Sequence, residues 1–290
     1  MYGPAPSALD LTVVAEKIVK QLSRLSKRGP YPVLVGKLDY AGLPGLVYTP
    51  EEGDALPAVA FGHDWMTDIK RYHRTLKHLA SWGIVVAAPN TEKGVLPDHR
   101  GFASDLETCL QILAGVKLGT GKVTVAPGKL GMAGHGMGAS CALLASAQRS
   151  AVKAVVALYP AKSSPSAEEA AKAVSAPGLV LGTDDKQLFE AGNPEQIALN
   201  WKGEVCYREI KGGNQHGFSE GMLSKAALGL GLPQYSQQDT ARGLMTGFLL
   251  GALNEDKKYS GFLDPAATAK KITSYTREEL QEKVEEEQGI

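Results

Sequence analysis

Two short loops carry residues that could move a proton together. Asp184 and Asp185 follow the apolar run Gly178–Leu181, and His216 follows the apolar run Val205–Ile210. An imidazole titrates near neutral pH, and a neighbouring carboxylate can orient it as a general base. Because open α/β sheets gather functional groups at the carboxyl ends of their strands, we expect these loops to meet.

A glycine-rich turn precedes both loops. Residues 131–139 spell Gly-Met-Ala-Gly-His-Gly-Met-Gly-Ala, between an apolar run and the small-residue segment Ala139–Ala147. A strand, a turn of pattern G-x-X-x-G and a helix together form an elbow whose central residue is normally a nucleophile. Here the central residue is Gly136, which offers only hydrogen.

Other interpretations of the turn fit less well. Gly134, Gly136 and Ala139 satisfy the dinucleotide fingerprint G-x-G-x-x-[G/A]. However, the next strand ends in Leu158-Tyr159-Pro160 without the carboxylate that would hold a ribose. No Gly-Lys-[Ser/Thr] follows to make a phosphate-binding loop, and a third interpretation is simple close packing of helix on strand. The downstream order of acid and histidine favours the elbow.

Further motifs make the chain similar to a known family. They are Ala58-Val-Ala-Phe-Gly-His-Asp-Trp65, Leu79-Ala-Ser-Trp-Gly-Ile-Val-Val-Ala-Ala-Pro89 and the His216-Gly-Phe turn. Together with the elbow they resemble the dienelactone hydrolase, chlorophyllase and polyester hydrolase (cutinase-like) branch of the α/β-hydrolases, over residues 30–255. The resemblance implies an α/β-hydrolase fold, with a mostly parallel central sheet, an antiparallel edge hairpin and helices on both faces.

The resemblance also assigns roles. Asp185, the fourth residue of G-x-x-D, matches the acid of the catalytic triad, with Asp184 as the close alternative, and His216 matches the base. Trp65 and Met137 would supply the backbone N–H donors of the oxyanion hole. Gly136 stands at the nucleophile position.

Two departures from the family pattern bear on activity. Gly136 replaces Ser or Cys, and removing a triad nucleophile costs roughly 10⁶-fold in rate. Asp64 replaces a glycine beside the oxyanion loop, where a negative charge opposes the charge that develops in acyl transfer. Ser140 and Cys141 cannot replace the nucleophile, because they lie one turn into the following helix.

The remaining histidines are expected to be structural or to line the cleft. No His pair has the spacing of a metal site, so we expect no metal and no cofactor. His135 is expected to pack under the elbow, and His63 and His99 are candidates for the cleft wall. His73 and His78 are placed on a polar helix face.

Composition limits the possible partners. The 290 residues carry 31 basic and 31 acidic side chains, so neither nucleic acid nor an anionic membrane is expected as a partner. The three cysteines have no C-x-x-C spacing, no signal peptide is visible, and no apolar run is long enough to span a bilayer. We therefore expect a cytoplasmic protein with a small-molecule ligand; the oligomeric state is not predicted.

The elements that must position these residues follow from hydrophobic periodicity and turn residues. We divide the chain into an N-terminal helix packed on the outside (1–28), an α/β-hydrolase domain (29–255) and a C-terminal extension with an acidic helix (256–290). Helices are predicted at 8–26, Asp68–Trp82, Phe102–Val116 and Met137–Arg149; strands are predicted at Val33–Tyr40, Leu43–Tyr48, Ala58–Phe61, Ile84–Ala88, Lys129–Ala133, Val152–Leu158, Gly178–Leu181 and Val205–Ile210.

Three functions remain open at this point. The first is a catalytically impaired hydrolase homologue that binds an ester-like, acyl or aromatic ligand. The second is an active enzyme in which Asp185 and His216 act as a general base. The third is a carboxylic ester hydrolase whose serine was exchanged for glycine by engineering. Segments Asn90–Arg100, Ala161–Ala176 and Gly217–Ser236 are expected to rim the cleft.

Overall fold

The core of the protein is a nine-stranded sheet, seen in a computed structural model that describes residues 18–183, 192–220 and 234–289. Along the sheet the strands have the order β1-β2-β4-β3-β5-β6-β7-β8-β9. Their bounds are β1 Val33–Lys37, β2 Gly45–Pro50, β3 Gly53–Gly62, β4 Val85–Pro89, β5 Val123–His135, β6 Val152–Leu158, β7 Gly178–Gly182, β8 Val205–Ile210 and β9 Ile272–Tyr275.

Six neighbouring strands in the middle of the sheet, β4-β3-β5-β6-β7-β8, are parallel. Antiparallel pairs lie at both edges of the sheet. At one edge β1 pairs with β2 and β2 with β4; at the other edge β9 pairs with β8. The mostly parallel sheet with an antiparallel edge hairpin is therefore confirmed.

Helices cover both faces of this sheet. They are α1 His73–Ser81, α2 His99–Gly115, α3 Met137–Ser146, α4 Ala167–Ala171, α5 Pro194–Asn200, α6 Gln215–Phe218, α7 Tyr235–Asn254 and α8 Arg277–Gln288, with residues 18–25 also helical. Strand β4 shows why both faces need covering: Val85 and Ala87 belong to the core beneath α2 and α3, whereas Val86 and Ala88 belong to the core beneath α1 and α7. Successive side chains of a strand point to opposite faces, so a run of apolar residues is buried on both sides.

Several element bounds differ from the sequence prediction. The predicted strands Val33–Tyr40 and Leu43–Tyr48 leave only Ala41-Gly42 as a tight turn between them, but the observed connection is longer and includes the 3₁₀ turn Asp39–Ala41. Strand β3 has ten residues instead of the predicted four. The additional residues at its start also pair with β5, but with shifts in register. The predicted helix before β4 begins as a 3₁₀ turn, Ile69–Tyr72, capped by the Asp68 side chain.

The C-terminal segment contributes a strand that its composition did not predict. Ile272–Tyr275 pairs with β8, and the following helix α8 buries Leu280 while most of its remaining residues face solvent. A capping box formed by Thr276 and Glu279 begins this helix. The division of the chain at residues 28 and 255 stays a prediction, and residues 1–17 of the predicted first helix lie outside the described residues.

No helix within the described ranges has the length and apolarity needed to cross a membrane. Cys109, Cys141 and Cys206 are buried free thiols. Burial raises the pKa of Cys206 to about 11 and that of Cys141 to about 12, so these thiols are poor nucleophiles at neutral pH.

Candidate active site

The glycine turn has the geometry of a nucleophile elbow. Gly136 lies between β5 and α3 with φ 55° and ψ −120°, a conformation that glycine adopts without the strain of a side chain. Its N–H donates to Leu158 O at 3.0 Å, and its C=O accepts from Ala161 N at 3.1 Å. The turn is therefore anchored on β6 and on the loop after it.

Neighbouring glycines allow helix α3 to start directly against the sheet. A Cβ on Gly62, at the end of β3, would lie 2.7 Å from the Cα of Gly138. A Cβ on Gly134 would likewise collide with the backbone of Gly138. The glycines therefore have two roles: Gly136 forms the turn, and Gly62, Gly134 and Gly138 allow the helix to pack closely on the strands.

The Asp64 carboxylate occupies the site that the elbow faces. Its Oδ1 accepts hydrogen bonds from Trp65 N at 2.8 Å and from Met137 N at 3.0 Å. These are the two backbone donors predicted to form the oxyanion hole. Gln215 Nε2 lies 3.3 Å from Oδ1 and 3.1 Å from Oδ2. The two N–H groups predicted to form the oxyanion hole therefore already donate to a carboxylate of the chain itself.

The same carboxylate lies where a side chain at position 136 would be. A Cβ built on Gly136 would overlap Asp64 Oδ1 and Cγ, and it would stand 2.8 Å from Oδ2. The Asp64 side chain is only 14% exposed, so it has little room to move aside without breaking its hydrogen bonds. Position 136 accommodates no side chain while Asp64 keeps this place.

A closed ring of hydrogen bonds holds Asp64. Its backbone N–H donates to the Tyr72 hydroxyl at 3.0 Å, and that hydroxyl lies 2.8 Å from His135 Nδ1. His135 Nε2 lies 2.9 Å from Gln215 O, and the Gln215 side chain returns to the Asp64 carboxylate. Donors and acceptors match around the ring when His135 carries its hydrogen on Nε2. Burial, reinforced by the charge of Asp64, raises the pKa of Tyr72, which therefore stays a donor.

His135 packs among aromatic side chains. It is completely buried beneath the elbow, 4.9 Å between ring centroids from Phe218 and 6.2 Å from Tyr159. His63 is also completely buried, with its ring nitrogens 2.8 Å from Asp64 O and 2.8 Å from Thr91 O. Burial lowers the pKa of His63. His63 thus supports the loop that carries Asp64 and does not line an open cleft.

His216, the predicted base, lies on the same short helix as Gln215. Helix α6 follows β8 and begins at Asn214, whose side chain accepts from Gly217 N. His216 is half-buried. His216, the base predicted from the sequence, therefore directly follows Gln215, whose side chain donates to the Asp64 carboxylate. Asp184 and Asp185 lie outside the described residues.

Neither alternative nucleophile reaches the site. Ser140 is completely buried on α3, and its hydroxyl donates to Ala161 O. Cys141 is also completely buried. His99 begins α2, and its Nδ1 accepts from Ser164 N at 3.3 Å. Within the described ranges, no group of three or more His, Cys, Asp or Glu side chains is arranged to hold a metal ion.

The loop that follows Asp64 exposes large apolar side chains, as does the loop that it contacts. The indole N–H of Trp65 donates to Val95 O at 3.1 Å, which brings the loop after β3 against the loop after β4. Large apolar side chains of these two loops are exposed: Trp65 by 49%, Met66 by 54%, Val95 by 63% and Leu96 by 94%. Exposed apolar side chains on neighbouring loops are candidates for contact with an apolar ligand or partner.

Two contributors to the site could not be recognised from the sequence. Gln215 precedes the predicted histidine, but a glutamine in a loop carries no pattern of its own. Tyr72 looks like an ordinary core residue of an amphipathic segment. The only sequence signal for either residue was indirect: an aspartate beside an oxyanion loop requires donors to satisfy its charge.

The parallel sheet, the elbow between β5 and α3 and the histidine after β8 define an α/β-hydrolase. The sequence profile of the dienelactone hydrolase family matches residues 43–227, and the chain belongs to that family. No individually curated protein matches the chain.

Proposed function

We propose that this member of the dienelactone hydrolase family has lost serine-type ester hydrolysis and binds an uncharged ester-like, acyl or aromatic ligand. The observation that carries the proposal is the position of Asp64, whose Oδ1 accepts from both Trp65 N and Met137 N. Acyl transfer needs those donors for the oxyanion of the substrate, and it needs a nucleophile at the elbow. Both requirements fail at the same place.

The character of the ligand follows from charge and surface. A carboxylate in the site repels an anionic ligand and tolerates an uncharged one. The exposed apolar rim, formed by Trp65, Met66, Val95 and Leu96, offers contact to an acyl chain or an aromatic ring. An uncharged apolar ligand therefore suits both parts of the site.

Hydrolysis of p-nitrophenyl esters of increasing acyl length tests the loss of activity. We expect equal rates for the parent protein and His216→Ala, because no step depends on the imidazole. A rate that falls in His216→Ala would contradict the proposal.

Binding is tested separately with 2-naphthyl butyrate and Trp65 fluorescence. We expect saturable quenching that disappears in Trp65→Phe, since Trp82 and Trp201 are buried. Leu96→Ser serves as a rim variant and should weaken binding. Quenching that is linear in ligand concentration, or unchanged in both variants, would argue against a ligand site here.

A second candidate function uses Asp64 itself as the nucleophile. The carboxylate stands in place of the missing side chain, and carboxylates form covalent intermediates in several enzyme classes. The reaction would be hydrolysis of an alkyl halide. Asp64 Oδ2 bonds to the sp³ carbon of the substrate while the carbon–halogen bond breaks, and the halide leaves with the electron pair. Water, deprotonated by His216, then attacks Cγ, and the oxyanion forms on Oδ1 between Trp65 N and Met137 N. Collapse breaks the Cγ–Oδ2 bond and releases the alcohol, whose oxygen takes the proton from His216. Asp64 then returns to its carboxylate by releasing the remaining proton to solvent.

Intact-protein mass spectrometry after incubation with 1-bromobutane separates the two candidates. A butyl adduct on Asp64 that is absent from Asp64→Asn, together with bromide release, would favour the nucleophile. An unmodified parent protein would leave ligand binding as the function.

A further inference from the structure

A cavity of about 300 Å³ lies away from the elbow, among the segment after helical residues 18–25, helix α1 and helix α7. Four cationic side chains and one carboxylate line it: Arg28, Arg74, Lys77, Arg242 and Asp239. The chain as a whole has equal numbers of basic and acidic residues, so this excess of positive charge is local.

Part of the charge is buried at the base of the cavity. Arg242 is 2% exposed; its guanidinium forms an ion pair with Asp239 Oδ1 at 3.2 Å and donates to Gln238 Oε1 at 3.2 Å. His78 is 7% exposed and also contributes to the wall; its Nε2 has no hydrogen-bond partner among the described residues. A buried arginine with a single carboxylate partner makes the base of the cavity electropositive.

The other cations of the cavity form no ion pair among the described residues. Arg28, Arg74 and Lys77 are exposed, and within the described part of the chain no ion pair joins them to an acid. Arg74 lies over the ring of Tyr235 at 5.4 Å, which holds its guanidinium at the wall. Glu220 accepts from the backbone N–H groups of Arg74 and Thr75 at 3.0 and 3.1 Å, and its charge also acts on Arg74 and Arg242. With Asp239 and Glu220 both counted, the four cations still outnumber the acids around the cavity.

We propose that this cavity binds a small ligand through a phosphate or sulfate group. Guanidinium groups donate pairs of hydrogen bonds to such oxyanions, and a lysine adds a point charge. Its volume is at the lower end of the range for small-molecule sites, which leaves space for an organic group beside the oxyanion. None of the residues that line the cavity belongs to the candidate active site around Asp64 and Gly136. The proposal is therefore independent of the function proposed for that site.

Calorimetric titration with inorganic phosphate and with phenyl phosphate tests the site, at an ionic strength held constant with chloride. The cavity variant is Arg74→Gln/Lys77→Gln, which changes exposed side chains and should leave the fold intact by circular dichroism. Lys122→Gln/Lys153→Gln removes the same charge from the surface elsewhere and is the matched control. We expect saturable binding that weakens at least about tenfold in the cavity variant and is unchanged in the control.

A second arm distinguishes a soluble ligand from a lipid headgroup. Sedimentation with phosphatidylcholine vesicles, with and without phosphatidic acid, is compared for the same three proteins. Binding to phosphatidic acid vesicles that the cavity variant loses assigns the oxyanion to a headgroup, and binding of free phosphate alone assigns it to a soluble ligand. Absence of both, or equal weakening in the control variant, overturns the proposal.

Discussion

The carboxylate of Asp64 occupies the space that any side chain at position 136 would need. A Cβ on Gly136 would overlap Asp64 Oδ1, although the two residues are 72 positions apart in the chain. A side chain at position 136 and the Asp64 carboxylate in this position therefore exclude each other. The residue types at positions 64 and 136 are structurally coupled.

This coupling predicts a non-additive double-mutant cycle. In the Asp64→Ala background, Gly136→Ser should destabilise the protein by about 1–3 kcal/mol, because a non-glycine residue is strained at positive φ. In the parent, the serine must also displace a carboxylate with three hydrogen-bond donors, which adds at least about 1.5 kcal/mol. Urea unfolding of the four proteins measures the coupling; equal effects in both backgrounds would show that Asp64 does not fill the elbow.

The same pair of substitutions should restore esterase chemistry. Asp64→Ala opens the N–H groups of Trp65 and Met137 to a substrate oxyanion, and Gly136→Ser supplies the nucleophile. We expect p-nitrophenyl acetate hydrolysis at least about tenfold faster than the parent, and dependent on His216. Neither single variant should show this gain, since each still lacks one of the two requirements. A double variant no faster than the parent would show that another part of the machinery is missing.

Tyr72 should be important for stability through its hydroxyl. Tyr72→Phe leaves Asp64 N–H and His135 Nδ1 without the partner that joins them, which should cost about 1–3 kcal/mol. Tyr259→Phe is the matched control, because Tyr259 is also buried and its hydroxyl makes no hydrogen bond to the described residues. Thermal and urea unfolding compare the two variants. A similar, small effect of both would show that the ring of hydrogen bonds contributes little.

His78 predicts a loss of stability in acid. Burial, with the charge of Arg242, lowers the pKa of His78 from 6.5 to about 4. The unfolded chain then binds a proton between these values that the folded chain does not, so stability falls as the pH drops below 6.5. Between pH 7.5 and pH 4.5 the parent should lose about 2–3 kcal/mol more than His78→Gln in urea unfolding. Equal losses would show that His78 titrates alike in both states.

Local pattern was sufficient for most of the fold. The strands Val152–Leu158 and Val205–Ile210 were predicted with their observed bounds, because apolar runs between turn residues can only be buried strands in this context. The elbow was also predictable, since its glycines are required by the turn and by contact with Gly62. Strand β9 was not predicted, because its four residues form a strand only by pairing with β8.

The sequence by itself predicted a candidate site of five residues: Gly136, Asp64, His216 and the donors Trp65 and Met137. Residue type and position along the chain suffice for that, because each follows a strand whose end is fixed by its own apolar run. Only the tertiary structure decided that the Asp64 carboxylate lies on the elbow, accepts from both donors and is held by Tyr72, His135 and Gln215. Those contacts join residues up to 151 positions apart, and such distances are set by packing of the whole sheet and not by any local pattern.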